Sequence, residues 1–135
     1  MSDSGSKIRF LDNGDGTITD VKLGLMWSKD TLSKSCINHT KASTICSRLD
    51  LGGYTDWRLP TVEEQFLLAD RTKHAPTIDT EAFPDTKNAW YWSSTESAED
   101  WFYAWVVYFN YGGAIDRHRD GDDAYVRAVR SLAGT

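Results

Sequence analysis

Ala89-Trp-Tyr-Trp-Ser-Ser-Thr-Glu-Ser-Ala-Glu-Asp-Trp-Phe-Tyr-Ala-Trp-Val-Val-Tyr-Phe-Asn-Tyr111 holds ten of the seventeen aromatic residues of this 135-residue chain. Its second half alternates in a way that predicts a strand over 105–109. Trp105, Val107 and Phe109 then face a core, while Val106, Tyr108 and Asn110 face the other way. A second strand is expected over Trp90 to Ser93. A short domain cannot enclose so many large rings, and rings with a polar tip left partly exposed are the material of binding surfaces. Trp101, Tyr103 and Tyr111, which flank that strand within the stretch, and His118 just beyond it are the rings expected in loops. The stretch therefore argues for recognition, with Trp90, Trp92, Trp105 and Phe109 as framework.

Outward from this stretch, the chain continues as strands: a short one near Ala114 to Asp116 and another from Tyr125 to Arg130. The N-terminal part reads the same way. Ile8 to Leu11, Thr17 to Asp20 and Leu25 to Ser28 are joined by Asp12-Asn-Gly-Asp-Gly16 and Leu23-Gly24, turns whose glycines supply positive φ. Two helices lie between. Ala42, Ile45, Cys46 and Leu49 recur at i, i+3, i+4 and i+7, predicting a helix from about Asn38 that stops at Gly52-Gly53. Thr61-Val-Glu-Glu64 is a capping box opening a second helix, with Phe66 and Leu67 expected to face the core and an end near Asp70 to Thr72. Pro76 to Lys87 reads as a long polar excursion. The order predicts a single α+β domain over 8–135, preceded by a disordered tail at 1–7, with the N- and C-terminal strands sharing a sheet.

Composition narrows the function classes. Twenty acidic against fifteen basic side chains give a net charge of −5, whereas nucleic acid and anionic membranes call for a basic footprint. Neither nucleic acid nor membrane insertion is expected. The opening residues lack the apolar run of a signal peptide, so the chain reads either as intracellular or as one whose export signal has been trimmed. Cys46 lies on the apolar helical face, which favours a buried thiol. The other reading is a Cys36–Cys46 bridge, which would need an oxidising compartment.

Catalytic and metal-binding chemistry find little support. Counted from Asp12, the calcium-loop positions that need oxygen ligands fall on Gly14, Gly16 and Leu23, so a hairpin turn is the better reading. Asp116, Asp120, Asp122 and Asp123 cluster, but Arg117 and Arg119 lie among them and a solvated loop is expected. His39, His74 and His118 share no motif and are read as surface or loop residues. Ser93-Ser94 lacks the nucleophile elbow, and there is no P-loop and no G-x-G-x-x-G. No enzyme activity, metal or cofactor is expected.

Six segments together resemble the domain family named for the C-terminal region of a collagen-like adhesin. They are Phe10 to Asp20, Gly24-Leu-Met-Trp27, Leu51-Gly-Gly-Tyr-Thr-Asp-Trp-Arg-Leu-Pro-Thr61, Tyr91-Trp-Ser-Ser-Thr95, Ala104-Trp105 and Tyr125-Val-Arg-Ala-Val-Arg130. The resemblance implies a C-type lectin-like fold, two helices with a mainly antiparallel sheet and long irregular loops. It also implies kinship with the variable proteins of diversity-generating retroelements, whose C-terminal region, here about 90–130, is mutagenised to make new binding surfaces. Display on a cell or virion surface would follow. Carried over by position, the ligand-binding residues are Tyr103, Val106, Tyr108, Asn110, Tyr111, Ala114, Asp116, His118, Asp120 and Asp123, with Trp101 at the border. Diversified AAC codons become NNC, which never encodes Lys, Glu, Gln, Met or Trp, and none of these five occurs from Val106 onward. The calcium-dependent sugar motifs of true lectins are absent, as is the C-terminal cysteine pair of the related formylglycine-generating enzymes. The expected role is non-enzymatic binding of an unknown protein or carbohydrate. The alternative is a fixed-surface adhesin that holds extracellular polysaccharide.

Overall fold

A computed structural model describes residues 8–132, so the tail expected at 1–7 lies outside the described residues. The elements are β1 (Phe10–Asp12), β2 (Thr17–Asp20), β3 (Leu25–Ser28), α1 (His39–Ser47), α2 (Val62–Leu68), β4 (Trp90–Glu96), β5 (Tyr103–Tyr108), β6 (Gly113–His118) and β7 (Val129–Ser131). They build two antiparallel sheets, β1-β2-β3-β7 and β4-β5-β6, which makes the domain α+β. The N- and C-terminal strands do share a sheet, Met26 standing opposite Arg130.

Local chemistry fixes the first hairpin. Asp12 accepts the Gly14 N–H at 2.9 Å, and the Asn13 amide reaches both Thr17 and Thr19 across the turn. Gly14 and Gly16 take the φ values of 78° and 89° that the reversal demands. Asp20 closes β2 from inside: wholly buried, it accepts Arg9, the Trp27 indole N–H and the Lys22 and Leu23 backbone amides.

α1 begins as expected, with the Asn38 carboxamide accepting the Lys41 N–H at 3.0 Å, but ends at Ser47 rather than at Gly52. Its stripe holds: Ala42 and Cys46 are buried, and Ile45 and Leu49 pack against them. α2 carries the capping box, Glu64 N–H to the Thr61 hydroxyl and Thr61 N–H back to the Glu64 carboxylate. Its inward face is not Phe66 and Leu67, which are 40% and 45% exposed, but Gln65 and Leu68. The Gln65 amide donates to the Tyr91 and Trp92 carbonyls at 3.2 and 3.0 Å, and that anchor rotates Phe66 and Leu67 outward.

The core lies in two layers, one on each face of the β4-β5-β6 sheet. Tyr91, Val107 and Phe109 pack with Trp27, Leu68, Ile78 and Phe83 on one side. Trp92, Ala104 and Val106 pack with Ala42, Cys46, Trp57 and Leu59 on the other. The excursion at 76–87 thus supplies core residues despite its polar sequence. Covering both faces overturns one expectation: Val106 has no exposure, because α1 and the Trp57 to Leu59 segment cover the face on which it stands. Trp105, expected in the core, is only half-buried. Both cysteines are free, Cys36 exposed and Cys46 buried, and burial pushes the Cys46 thiol up to about 12.

Candidate functional site

The β5–β6 register decides which candidate residues meet. Tyr103 stands opposite His118 and Trp105 opposite Asp116, so all four share the α2 side of the sheet with Ala114. Tyr108 stands opposite Trp90 and points to the other side, toward α1. The ligand-binding set expected to make one surface is therefore split between two patches at the sheet rim.

The first patch is an aromatic stack. Trp101, 60% exposed, lies on Phe102 with ring centroids 4.2 Å apart and planes 26° from parallel. Phe102 in turn lies parallel to the His118 ring at 6.2 Å, and Tyr103 meets that ring edge-on at 5.3 Å. His118 is held by its own turn. Its Nδ1 accepts the Gly121 and Asp120 amides at 2.9 and 3.2 Å, which leaves Nε2 to carry the ring proton. The acidic cluster resolves accordingly. Asp122 accepts the His118 N–H and donates its own N–H to the His118 carbonyl, while Asp116, Asp120 and Asp123 are exposed. Among the described residues, no group of three or more His, Cys, Asp or Glu is placed to hold a metal ion.

The second patch gathers Tyr108, Asn110, Tyr111 and Asp123 around Trp90. Tyr108 meets Tyr111 edge-on at 5.2 Å and Trp90 at 6.3 Å. The Asn110 amide donates to the Asn88 side chain at 3.2 Å. The Arg117 guanidinium lies 4.1 Å over the Trp90 ring, a cation–π contact. A hollow of about 330 Å³ is lined here by Cys36, Asn88, Ala89, Trp90, Tyr108 and Asp123.

Three residues near the rim were missed from sequence. Phe102 is 46% exposed, and its place between Trp101 and Tyr103 was the available signal. Phe66 and Leu67, assigned to the core, instead border a groove of about 490 Å³ with Val62, Glu63, Thr95, Trp105 and Ala114. One histidine was misread: His39 is buried, its Nε2 2.9 Å from the Ser93 carbonyl and its ring edge-on to Trp92 at 5.2 Å. Burial holds its pKa below the ordinary histidine value, the Ser93 bond opposing and the Arg119 charge reinforcing that shift.

Residues 16–130 match the Lcl C-terminal domain family. The chain belongs to that family. No curated protein matches it. The match to the Lcl C-terminal domain begins at the glycine that ends the first turn and finishes in β7, so β1 alone of the strands lies outside it. Among the described residues of this Lcl C-terminal domain, no helix is long and apolar enough to cross a membrane.

Proposed function

We propose that this domain is a non-enzymatic binding module: a C-type lectin-like scaffold that presents a diversified rim to a ligand, as the variable proteins of diversity-generating retroelements do. The observation that carries the reading is the stack of Trp101, Phe102, Tyr103 and His118. It stands at the sheet rim, away from the two packed layers that hold the fold. Tyr and Trp supply large contact area with little rotamer entropy to lose, the logic of antibody loops. Substitutions at exposed positions typically move stability by within about 0.5 kcal/mol, so such a rim can vary without unfolding its frame.

A display library tests this. Trp101, Tyr103, Tyr108, Asn110, Tyr111, Asp116, His118, Asp120 and Asp123 are randomised together, and the surviving fraction is scored by protease resistance. A second library randomises nine buried framework positions. The rim library is expected to stay mostly folded and to yield binders to an arbitrary probe such as hen lysozyme; collapse comparable to the framework library would refute the display reading. A reverse transcriptase gene and a near-identical template repeat beside the coding sequence would establish diversification itself.

A fixed-surface adhesin that binds polysaccharide is favoured by one feature of the second patch. Asn88, Asn110 and Asp123 set planar hydrogen-bonding groups around the Trp90 and Tyr108 rings, the combination that sugar hydroxyls and sugar faces both engage.

A further inference from the structure

The two sheets have four outer edges, and the chain treats them differently. The edge of β4 is covered, Trp92 N–H bonding the Tyr125 carbonyl, Tyr125 N–H the Trp90 carbonyl and Ser94 N–H the Pro60 carbonyl. The edge of β7 is covered by Arg58, which exchanges both backbone bonds with Val129. β1 is only three residues long. β6 is six residues long and pairs with β5 in an unbroken register, without proline or bulge. An edge of this kind is what native proteins usually blunt.

Backbone direction along β6 follows from its neighbours. Phe109 N–H bonds the Ala89 carbonyl, so odd-numbered residues of this run turn their backbone to β4 and even-numbered ones to β6. Gly113, Ile115 and Arg117 thus bond inward to Tyr108, Val106 and Ala104. Ala114, Asp116 and His118 turn outward. Asp122 occupies both outward groups of His118, through its carboxylate and its N–H. The outward N–H and C=O groups of Ala114 and Asp116 have no partner among the described residues. Beside them lies the apolar groove of Val62, Phe66, Leu67, Trp105 and Ala114.

We propose that β6 accepts an antiparallel strand from an extended segment of another protein, apolar where it faces Ala114 and basic where it faces Asp116. This rests on the binding-module reading and names its ligand class. Two successive outward residues, each with a free donor and acceptor, match the pairing unit of one added strand. The residue facing Ala114 sets its side chain over the groove, and the one facing Asp116 meets a carboxylate that makes no ion pair among the described residues. The same charge argues against a second copy of the chain. Two β6 strands paired about Ile115 would set each Asp116 opposite the other copy's Ala114, at the apolar groove and on the side of Glu63.

The probe is the peptide acetyl-Thr-Glu-Lys-Val-Leu-Thr-amide, whose Lys faces Asp116 and whose Leu faces Ala114. Binding is followed by amide chemical shifts, and backbone exchange is measured at Ala114 and Asp116. Saturating peptide is expected to slow exchange at both amides by at least tenfold. N-methylating the peptide at Lys and Leu, which leaves the protein untouched, is expected to weaken binding at least tenfold. Asp116→Lys should weaken binding similarly, and the Lys→Glu peptide should restore it, a rescue that misfolding could not give. Affinity weaker than about 1 mM, or equal binding of the methylated peptide, overturns strand addition. A concentration-dependent dimer that protects Ala114 and Asp116 without peptide overturns it in favour of self-pairing. The rim library is independent of all three outcomes, so strand addition can fail while the display reading stands.

Discussion

Replacing Asp20 by asparagine tests whether one buried carboxylate ties the first sheet to its core. Five donors converge on it: Oδ1 takes Arg9 Nε at 3.0 Å and the Lys22 and Leu23 amides at 3.1 and 3.2 Å, and Oδ2 takes Arg9 Nη2 at 2.9 Å and Trp27 Nε1 at 3.0 Å. An asparagine can keep its oxygen toward the first three, but its NH2 then confronts the other two. Arg9 is partly exposed and can turn to water; Trp27 has no exposure and cannot. Losing a charge-assisted bond costs about 1.5–3 kcal/mol and leaving a buried donor unpaired about 1–3 kcal/mol, so the variant should lose about 3–5 kcal/mol. For a chain of this size that is a fall in Tm of roughly 10–20 °C. Urea unfolding followed by tryptophan fluorescence reads the loss, with Trp27→Phe completing a double-mutant cycle. Because the phenyl ring carries no donor, the two changes should couple by roughly 1–2 kcal/mol. A loss below about 1 kcal/mol, or additive effects, would refute the reasoning.

Two further outcomes follow from side chains placed in the fold. His39 is buried with Nδ1 unpartnered and its pKa lowered by burial, so between that value and about 6.5 the unfolded chain binds a proton that the folded one does not. Stability should therefore fall as pH drops through about 6.5, and His39→Gln should flatten that slope; an unchanged slope in the difference between the two proteins refutes it. In α2, Leu68→Ala should cost about 2–5 kcal/mol and Leu67→Ala under about 1 kcal/mol by thermal melts, and the reverse order would show the helix turned the other way.

What the sequence made legible was coded locally. β2, β3 and both turns follow from glycine and Asx chemistry within a few residues, and the Thr61 to Glu64 box is self-contained. The misreadings share a cause, which is contact with distant chain. Phe66 and Leu67 looked inward until the Gln65 bonds to β4 set the rotation of the helix. Alternation placed Val107 and Phe109 correctly but took the opposite face for solvent, and Val106 sits under a second layer that no strand pattern announces. His39 gave no signal because its burial depends on Trp92, more than fifty residues away. In the site, the neighbours Tyr103 and His118 required the β5–β6 register, and the division into two patches followed from it.

Burial of both faces of β5 has a geometric consequence for any surface built on this frame. Ala104, Val106 and Val107 are interior positions on one side or the other. Room for change runs along the Trp101 segment, the turn at Tyr111, the edge of β6 and the turn at 119–123. If the rim is diversified as proposed, its variable positions follow these edges in a line, through both patches, rather than covering a sheet face. A line of contacts suits a ligand that is itself long and thin.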